Sequence, residues 1–444
     1  MNTEFRPLKT AAEQGLAEAF ASAKGFLPGR GQVADLRAQA FHRFEVRGLP
    51  NRRIEDWKYT DLRALMREAK PLAQPPGVEA KQQAKGSGAG LGNINSRRLV
   101  FVDGAFIAEA SDIATLEAGL AIGSLADALG KGDAEVIARL GSIGAPDSDV
   151  AFALNTAFMG DGAIIGIAPG TMLKRPIHLV FVTSGEAAAA TFTRSLVIAG
   201  KGACAMLIES HEGPAGCGYQ VNTALELAVG DEAQVDHVKV TVEGDQALHV
   251  STLTAAIGAH ARFNDLVFTT GGAVVRNQLF LRFDGEGAVA NVRGASLLRG
   301  RQHTDTTLVA DHVAGGCHAH EVFKSVLDEQ SHAVFQGKII VRPGAQKTDA
   351  RMMTRALLLS ETAEADAKPE LEIFADDVQC GHGATSGALD DELRFYLMAR
   401  GIPANEAESL LIQAFVGEAI DGVDHAELRE GLMDAARAWL AARG

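Results

Sequence analysis

A thiol and an imidazole stand two residues apart near the C-terminal end of the chain, in the segment QCGHGATS that covers residues 379–386. In an extended strand, residues i and i+2 point to the same face, so Cys380 and His382 would share one face. Thiolate and imidazole are suitable ligands for zinc, copper(I) and the iron of iron–sulfur clusters. Because zinc and cluster iron take four ligands, the pair is at most half of a metal site. The alternative is a glycine-rich turn with a buried cysteine and a surface histidine.

A second group of potential ligands comprises His303, His312, Cys317, His318 and His320. If residues 317–320 are extended, Cys317 faces one way while His318 and His320 face the other. His318 and His320 could then chelate a metal, which makes a free-standing metal-binding protein one hypothesis. No third ligand stands at a fixed short spacing, so chance proximity is the preferred interpretation.

The motifs of common enzyme chemistry are absent from the sequence. It contains neither a nucleophile elbow of the Gly-x-Ser-x-Gly type nor a P-loop lysine motif. Asp376 and Asp377 suggest one alternative, a carbohydrate-active β-helix enzyme, because such enzymes work with clustered carboxylates. Aromatic residues are only 6% of the chain, which argues against a sugar cleft, so a polar turn is preferred. We expect the chain not to be an enzyme, and any ATP to be used by a partner.

Composition excludes several other classes of function. The formal net charge is −14, and an acidic chain repels phosphate backbones and anionic lipids. We therefore expect neither nucleic acid nor a membrane as a partner. No apolar stretch approaches the length that spans a bilayer, and the start of the chain lacks the apolar core of a secretory signal. These features predict a cytoplasmic protein whose four cysteines stay reduced.

The residues that could do chemistry must be positioned by three predicted regions. Residues 1–160 are expected to be mainly helical, with a proline- and glycine-rich flexible linker at residues 71–93. A helix is predicted over residues 51–66 from the spacing of apolar residues, and a strand, a turn at Asp103-Gly104 and a second strand are predicted after the linker. Residues 389–444 are predicted to form a C-terminal helical domain, with Asp390 as the N-cap.

Residues 161–388 have the pattern of a stacked β structure. Short apolar runs are separated by Gly, Asp and Glu, and glycines recur every 27 to 30 residues, a period that indicates a stacked repeat. The sequence therefore predicts a mainly β fold: a parallel β-helix core flanked by N- and C-terminal α-helical regions, which are the expected caps of its open ends. Corners that need a positive φ would be supplied by the glycines in phase, which are Gly170, Gly200, Gly230, Gly258, Gly285, Gly315 and Gly344.

Several segments together resemble the SufB/SufD family of iron–sulfur cluster assembly scaffolds. The resemblance is dense toward the C-terminal end and loose through the repeats. Two features favour the SufD type: the segment WKYT at residues 57–60, and Gly383 where a glutamate is expected in SufB. Arg394 and Gly315 depart from the family's pattern without touching the proposed site. The segments that carry the resemblance are NRRIEDWKYTDL (51–62), FQGKIIV (335–341), AQKTDA (345–350), LLLS (357–360), PELEI (369–373), DDV (376–378), CGHGAT (380–385) and FYLMARGI (395–402).

The resemblance implies a right-handed parallel β-helix and a non-catalytic role in iron–sulfur cluster assembly. It implies pairing with a SufB-like scaffold through the ends of the two β-helices. His382, with Cys380 as a secondary ligand, would face a cysteine of that partner where a transient Fe–S cluster forms. No tightly bound cofactor is expected in the isolated chain, while a flavin and a homodimer are left open.

The resemblance also implies that a SufC-like ABC ATPase docks on the C-terminal helices. The predicted docking patch consists of Phe395, Tyr396, Leu397, Arg400 and Ile402. Arg400 is the best candidate for direct contact, because arginine is enriched at interfaces. The alternative is that Phe395 and Leu397 belong to the core of a capping domain.

Overall fold

The chain folds into a solenoid of two stacked β-sheets with helices on its outer faces. The structure, a computed structural model, describes residues 9–91, 94–144, 146, 148–185 and 187–443. The sheets have ten and nine strands, and strands that follow each other along the solenoid alternate between them. The predicted mainly β class with a parallel solenoid and helical flanks is therefore confirmed.

The bounds of the elements are as follows. The strands are β1 Arg97–Val102, β2 Ala105–Phe106, β3 Leu120–Ser124, β4 Ala163–Ile167, β5 Ile177–Val182, β6 Ala190–Ala199, β7 Cys204–Glu212, β8 Gln220–Val229, β9 Gln234–Val242, β10 Leu248–Ile257, β11 Arg262–Thr269, β12 Val274–Phe283, β13 Val289–Leu298, β14 His303–His312, β15 His318–Leu327, β16 His332–Val341, β17 Asp349–Leu358, β18 Glu364–Ile373 and β19 Gln379–Gly387. The helices are α1 Ala11–Ala23, α2 Gln32–Arg47, α3 Leu62–Leu65, α4 Val78–Gln83, α5 Leu125–Lys131, α6 Ala134–Arg139, α7 Val150–Phe158, α8 Asp391–Met398, α9 Ala404–Ile420 and α10 Ala426–Ala441.

Successive coils stack strand on strand in parallel. From β4 onward, each strand pairs with the strand two places along the chain, so one coil gives one strand to each sheet. The ten-residue strands align residue for residue: Leu248 of β10 pairs with Val274 of β12, and His303 of β14 follows in the same row. Antiparallel β2 and β3 lie at the N-terminal end of the two sheets. The main core lies between the sheets and is filled by alternate residues of each strand.

The glycines in phase lie at the corner that follows each even-numbered strand from β4 to β16. Gly170 has a φ of 70°, as the sequence predicts for a corner. Gly285 has no positive φ; a Cβ there would lie 1.9 Å from the backbone nitrogen of Ala259 in the preceding coil. At Gly230 a Cβ would lie 2.8 Å from the carbonyl oxygen of Ala199. At these corners glycine is needed because the backbones of neighbouring coils approach closely.

This close approach gives a test of the corner. Replacing Gly285 by alanine should destabilise the protein by about 1–3 kcal/mol, the usual cost of overpacking. Gly344→Ala is the control, because a Cβ at this equivalent corner would find its nearest neighbour at 3.8 Å and should change stability by less than about 0.5 kcal/mol. Thermal unfolding followed by circular dichroism measures both. Equal melting temperatures for the two variants would show that the corner has room for a methyl group.

The segment 51–66 is not the helix that the sequence predicts. It forms a 3-10 turn at Glu55–Trp57 and then the short helix α3. The Trp57 ring lies 3.9 Å from the guanidinium carbon of Arg276, and the Thr60 hydroxyl donates a hydrogen bond to Asp305. These contacts hold the chain against the outer face of β12 and β14, so tertiary packing overrides the helical spacing. The WKYT segment thus attaches the N-terminal region to the solenoid.

The two helical regions pack on the outer faces of different sheets. α1, α2 and α7 form a core with Trp57 and with β10 of the nine-stranded sheet. α9 and α10 pack against the outer face of the ten-stranded sheet, around β13 and β15. The expectation that the C-terminal helices cap the open end is therefore wrong: they cover a side of the solenoid, and the residues of β19 stay largely exposed.

Several local predictions can be compared with the structure. The strand, turn and strand around Asp103-Gly104 are confirmed as β1 and β2, which join the solenoid. Asp390 is confirmed as the N-cap of α8, accepting from the backbone N–H groups of the first turn. The predicted linker contains the helix α4, whose Ala80 packs with Val100; residues 92 and 93 lie outside the described residues. The proposed boundaries at residues 160 and 388 stay predictions. Within the described ranges, no helix has both the length and the apolar composition of a membrane span.

Candidate functional site

Cys380 and His382 lie on β19, the last strand of the ten-stranded sheet. β19 pairs with β17 on one side, and β18 is likewise the last strand of the nine-stranded sheet. In the part of the chain that the structure describes, the other edge of each strand has no partner strand. An edge of this kind offers a row of backbone N–H and C=O groups for pairing with another chain.

The two side chains share the inner face of the solenoid, where the last coil leaves it open. The register places Cys380 beside Ala350 and His382 beside Met352, both of which are buried in the core between the sheets. Cys380 is half-buried and packs against this core, whereas His382 is exposed. Burial raises the pKa of the Cys380 thiol, so the thiol keeps its proton at neutral pH in the absence of a metal. The predicted shared face is thus present.

The ligand set at this end is incomplete. Among the residues that the structure describes, no third His, Cys, Asp or Glu converges on Cys380 and His382. Asp376 and Asp377 lie in the turn between β18 and β19, where Asp377 forms an ion pair with Lys347. Two ligands on an open edge can hold a metal only with further ligands from outside the chain.

Glu321 of β15 is a buried acid that sequence reasoning missed. It lies in the same inner column as His382, with Met352 between them. Neither carboxylate oxygen has a hydrogen-bond partner within the described chain, and burial raises the pKa of Glu321 to about 8. The signal for it is strand alternation, because Glu321 has the same parity as the buried Ala319 and Phe323. The open end is therefore backed by a neutral carboxylic acid.

The second group of histidines does not form one site. His303 takes part in attaching the N-terminal segment: its Nε2 lies 2.9 Å from the Thr60 hydroxyl, and burial lowers its pKa to about 4. His312 is buried and stacks on Phe283, with ring centroids 4.1 Å apart. Both imidazoles are thus part of packed structure.

The other members of this group lie at the start of β15. The Cys317 thiol is buried and lies 3.4 Å from the carbonyl oxygen of Gly285. His318 and His320 share the exposed outer face, as the spacing predicts. No third ligand joins them in the described ranges, so the structure adds nothing to the chelation hypothesis.

The predicted docking patch is centred on α8, a helix without a buried residue. Phe395 is 72% exposed and Tyr396 53% exposed, while Leu397 and Ile402 are half-buried. The guanidinium carbon of Arg400 lies 3.4 Å from the centre of the Tyr396 ring. Phe395 is therefore not a core residue of this chain. Sequence reasoning missed two exposed neighbours on the same helix, Leu393 and Met398.

A charged cluster inside the solenoid also escaped the sequence analysis. His237 of β9 is buried between two carboxylates: its Nε2 lies 3.0 Å from Glu209 and its Nδ1 lies 2.6 Å from Asp265. Burial alone would lower the pKa of His237, but its hydrogen bonds to Asp265 and Glu209 raise it to about 9. Glu209 and Asp265 each stand 28 positions from His237, which is close to one coil period, and this spacing is the signal that could have found the cluster.

This cluster makes stability depend on pH. The pKa of His237 is about 9 in the folded chain and about 6.5 when unfolded. The imidazolium therefore contributes stability that is fully present below about pH 6.5 and lost as pH rises through about 9. Because removing one partner of a buried ion pair costs about 3–5 kcal/mol, we expect His237→Gln to melt well below the wild-type chain at pH 7. That difference should shrink between pH 7 and pH 10 in thermal melts of both proteins. A constant difference would show that His237 is neutral in the folded state.

Comparisons with known proteins agree with this architecture. The SufBD core domain of the SUF system for FeS cluster assembly matches residues 181–415, and the SufBD protein N-terminal region matches residues 14–179. The chain is 32% identical over 392 residues to an iron–sulfur cluster assembly SufBD family protein of Synechocystis sp.. The aligned region covers 86% of this chain and 85% of the relative. It is 30% identical over 390 residues to SufD of Escherichia coli, and this aligned region covers 87% of this chain and 88% of the relative.

The chain therefore belongs to the SufBD family of iron–sulfur cluster assembly proteins. Within this family it is SufD-like, as the similarity to the SufD protein of Escherichia coli shows. SufD of Bacillus subtilis is a more distant relative, 27% identical over 273 residues that cover 61% of this chain and 62% of that protein. The family resemblance found in the sequence motifs is confirmed.

Proposed function

We propose that this chain is a non-catalytic scaffold subunit that pairs with a SufB-like scaffold in iron–sulfur cluster assembly. The observation that carries the proposal is the open end of the solenoid, where β18 and β19 present free edges and His382 is exposed beside the half-buried Cys380. Strands of a second solenoid would continue both sheets by edge-to-edge pairing, which is a common mode of recognition. The incomplete ligand set is the arrangement expected of a site shared by two chains.

At this interface His382 would supply an imidazole to a nascent cluster, and a cysteine of the SufB-like partner would supply thiolate. Cys380 is a secondary ligand, because its thiol is half-buried and must lose a proton before it binds iron. The Fe–S cluster is the cargo of the complex and is held transiently. We expect no tightly bound cofactor in the isolated chain and leave a flavin open. The same free edges would also allow a homodimer when the partner is absent.

The second part of the proposal concerns the patch on α8. An exposed phenylalanine beside a tyrosine that is stacked under Arg400 has the composition of a protein-binding hot spot, since aromatic residues and arginine dominate such sites. We assign it to a SufC-like ABC ATPase, which would use the ATP that this chain has no motif to bind. The complex would work in the cytoplasm.

An anaerobic pull-down of the tagged chain from its own host tests the proposed assembly. Mass spectrometry should identify an ABC-type ATPase and a homologous scaffold in the bound fraction. Recovery of the chain alone, or only with itself, would remove the main support for the scaffold function. Metal content and polysaccharide activity would then be the next measurements.

His382 can be tested within the reconstituted complex. His382→Ala should reduce the iron and acid-labile sulfide that the complex acquires by at least about tenfold, the scale of losing a metal-supporting residue. Complex formation should survive, because strand pairing uses backbone groups. His318→Ala is the matched control, since His318 is also an exposed histidine on a strand of the same sheet. Wild-type cluster content in the His382→Ala complex would exclude His382 as a ligand.

The patch on α8 makes a separate prediction. Phe395→Ala and Arg400→Ala should each weaken capture of the ATPase by about tenfold or more, since truncating a hot-spot residue costs about 2 kcal/mol. Pairing with the SufB-like scaffold should be unchanged. Phe26→Ala is the control, because Phe26 is 91% exposed and belongs to the N-terminal region. Quantitative pull-downs measure all three, and retention of the ATPase by both patch variants would move the docking site elsewhere.

A further inference from the structure

Three buried side chains of types that can bind a metal converge inside the N-terminal half of the solenoid. They are His211 near the end of β7, Glu243 just after β9 and His249 near the start of β10. One ligand atom from each lies within 4.8 Å of the ligand atoms of the other two. Glu243 and His249 flank the turn between β9 and β10, and the fold brings His211 of β7 to them.

His211 has unused hydrogen-bonding capacity in this cluster. Neither of its ring nitrogens has a partner within the described chain, although the residue is buried. The ring stacks on Phe181 and meets His249 edge-on, with centroids 4.7 Å apart in both contacts. Glu243 uses one oxygen, 3.2 Å from His249 Nδ1, while its other oxygen has no partner in the same residues. Buried polar atoms without partners cost free energy and point to a missing ligand.

The space next to these atoms is suited to a small ligand. A cavity of about 10 Å³ is lined by His211 and Glu243 together with apolar and threonine side chains, which is close to the volume that holds one water molecule. Two of its lining residues, Gly104 and Thr191, also line a surface groove of about 1090 Å³. The cavity therefore lies next to a route from solvent.

The protonation states of His211, His249 and Glu243 are compatible with binding a cation. Burial lowers the pKa of His211 and of His249 well below the usual value, so both imidazoles are in the neutral form that binds metals. Burial raises the pKa of Glu243 to about 8, and a bound cation would replace its proton. Lys239 contacts the other ring nitrogen of His249 at 2.9 Å and has a pKa lowered to about 8 by burial. Loss of a proton from Lys239 on metal binding, which this lowered pKa favours, would let its amine accept a hydrogen bond from the Nε2–H group and leave Nδ1 to the cation.

We propose that His211, Glu243 and His249 form a site for one divalent transition-metal ion, ferrous iron or zinc, inside the solenoid. Two imidazoles and one carboxylate with open positions are the ligand set of non-haem ferrous sites and of many zinc sites. The site is built by β7, β9 and β10, whereas His382 is on β19. It belongs to this chain alone and does not rest on pairing with a scaffold partner.

The test uses the purified full chain, stripped of metal with a chelator and handled anaerobically. Titration with Co²⁺ as a spectroscopic probe should show saturation at one equivalent, with visible absorption bands and a rise in the melting temperature. Competition with Fe²⁺ and with Zn²⁺ then shows which ion displaces Co²⁺ at the lower concentration. If the chain bound none of the three ions at one equivalent, the proposal would be overturned.

Two variants connect the binding to these residues. His211→Leu should abolish stoichiometric Co²⁺ binding, while the metal-free variant should melt at or above the wild-type temperature because no hydrogen bond is lost. His312→Leu is the matched control: His312 is also buried, stacked on a phenylalanine and without a partner for its ring nitrogens in the described chain. It should bind Co²⁺ like the wild type.

Glu243→Gln is the second variant, which keeps the shape of the side chain and removes its charge. It should lower the affinity for Co²⁺ at least tenfold, and it tests the site even if His211→Leu does not fold. Wild-type binding by both Glu243→Gln and His211→Leu, or loss of binding in the control His312→Leu, would show that the metal binds elsewhere.

Discussion

Hydrogen bonding between the backbones of successive coils is the constraint on which this structure depends. Every buried N–H and C=O group of a strand needs a partner, and in the solenoid the partners are the coils before and after. At the N-terminal end this requirement is met by the antiparallel strands β2 and β3. At the C-terminal end the helices pack on the side of the solenoid, so β18 and β19 end the two sheets. The backbone hydrogen bonding that stabilises each coil therefore also leaves, at β18 and β19, the edges to which a partner chain can bind.

The same stacking controls the chemistry of the interior. Because the register is kept residue for residue, most inward side chains lie above their equivalents in the coil below and are buried. A charged residue inside must then find its counter-ion one coil away, as His237 does with Glu209 and Asp265. Glu321 has no such neighbour among the residues that the structure describes, and burial keeps its carboxyl protonated near neutral pH. His211 is equally buried, and its neutral imidazole is free to bind a cation.

The sequence was sufficient to predict the features that repeat along the chain or that depend on local geometry. The glycine period revealed the solenoid, and strand alternation placed Cys380 and His382 on one face. The predicted helix at residues 51–66 was wrong, because contacts such as Trp57 on Arg276 decide its conformation. The polar clusters inside could not be recognised without the register, since their members are 28 or more residues apart or join different sheets. The prediction that the C-terminal helices cap the open end was wrong, because their amphipathic pattern does not indicate which surface of the solenoid they cover.

The attachment of the N-terminal segment across several coils has a consequence for how the length of such a chain can change during evolution. One additional coil would lengthen the solenoid by about 4.8 Å and leave both ends intact, whereas a single inserted residue within a strand would exchange its inner and outer faces. The backbone oxygen of Asp56 accepts hydrogen bonds from Arg276 on β12 and from Gln336 on β16, so a coil inserted between these strands would break the attachment. The attachment of the N-terminal segment therefore excludes a whole-coil insertion between β12 and β16.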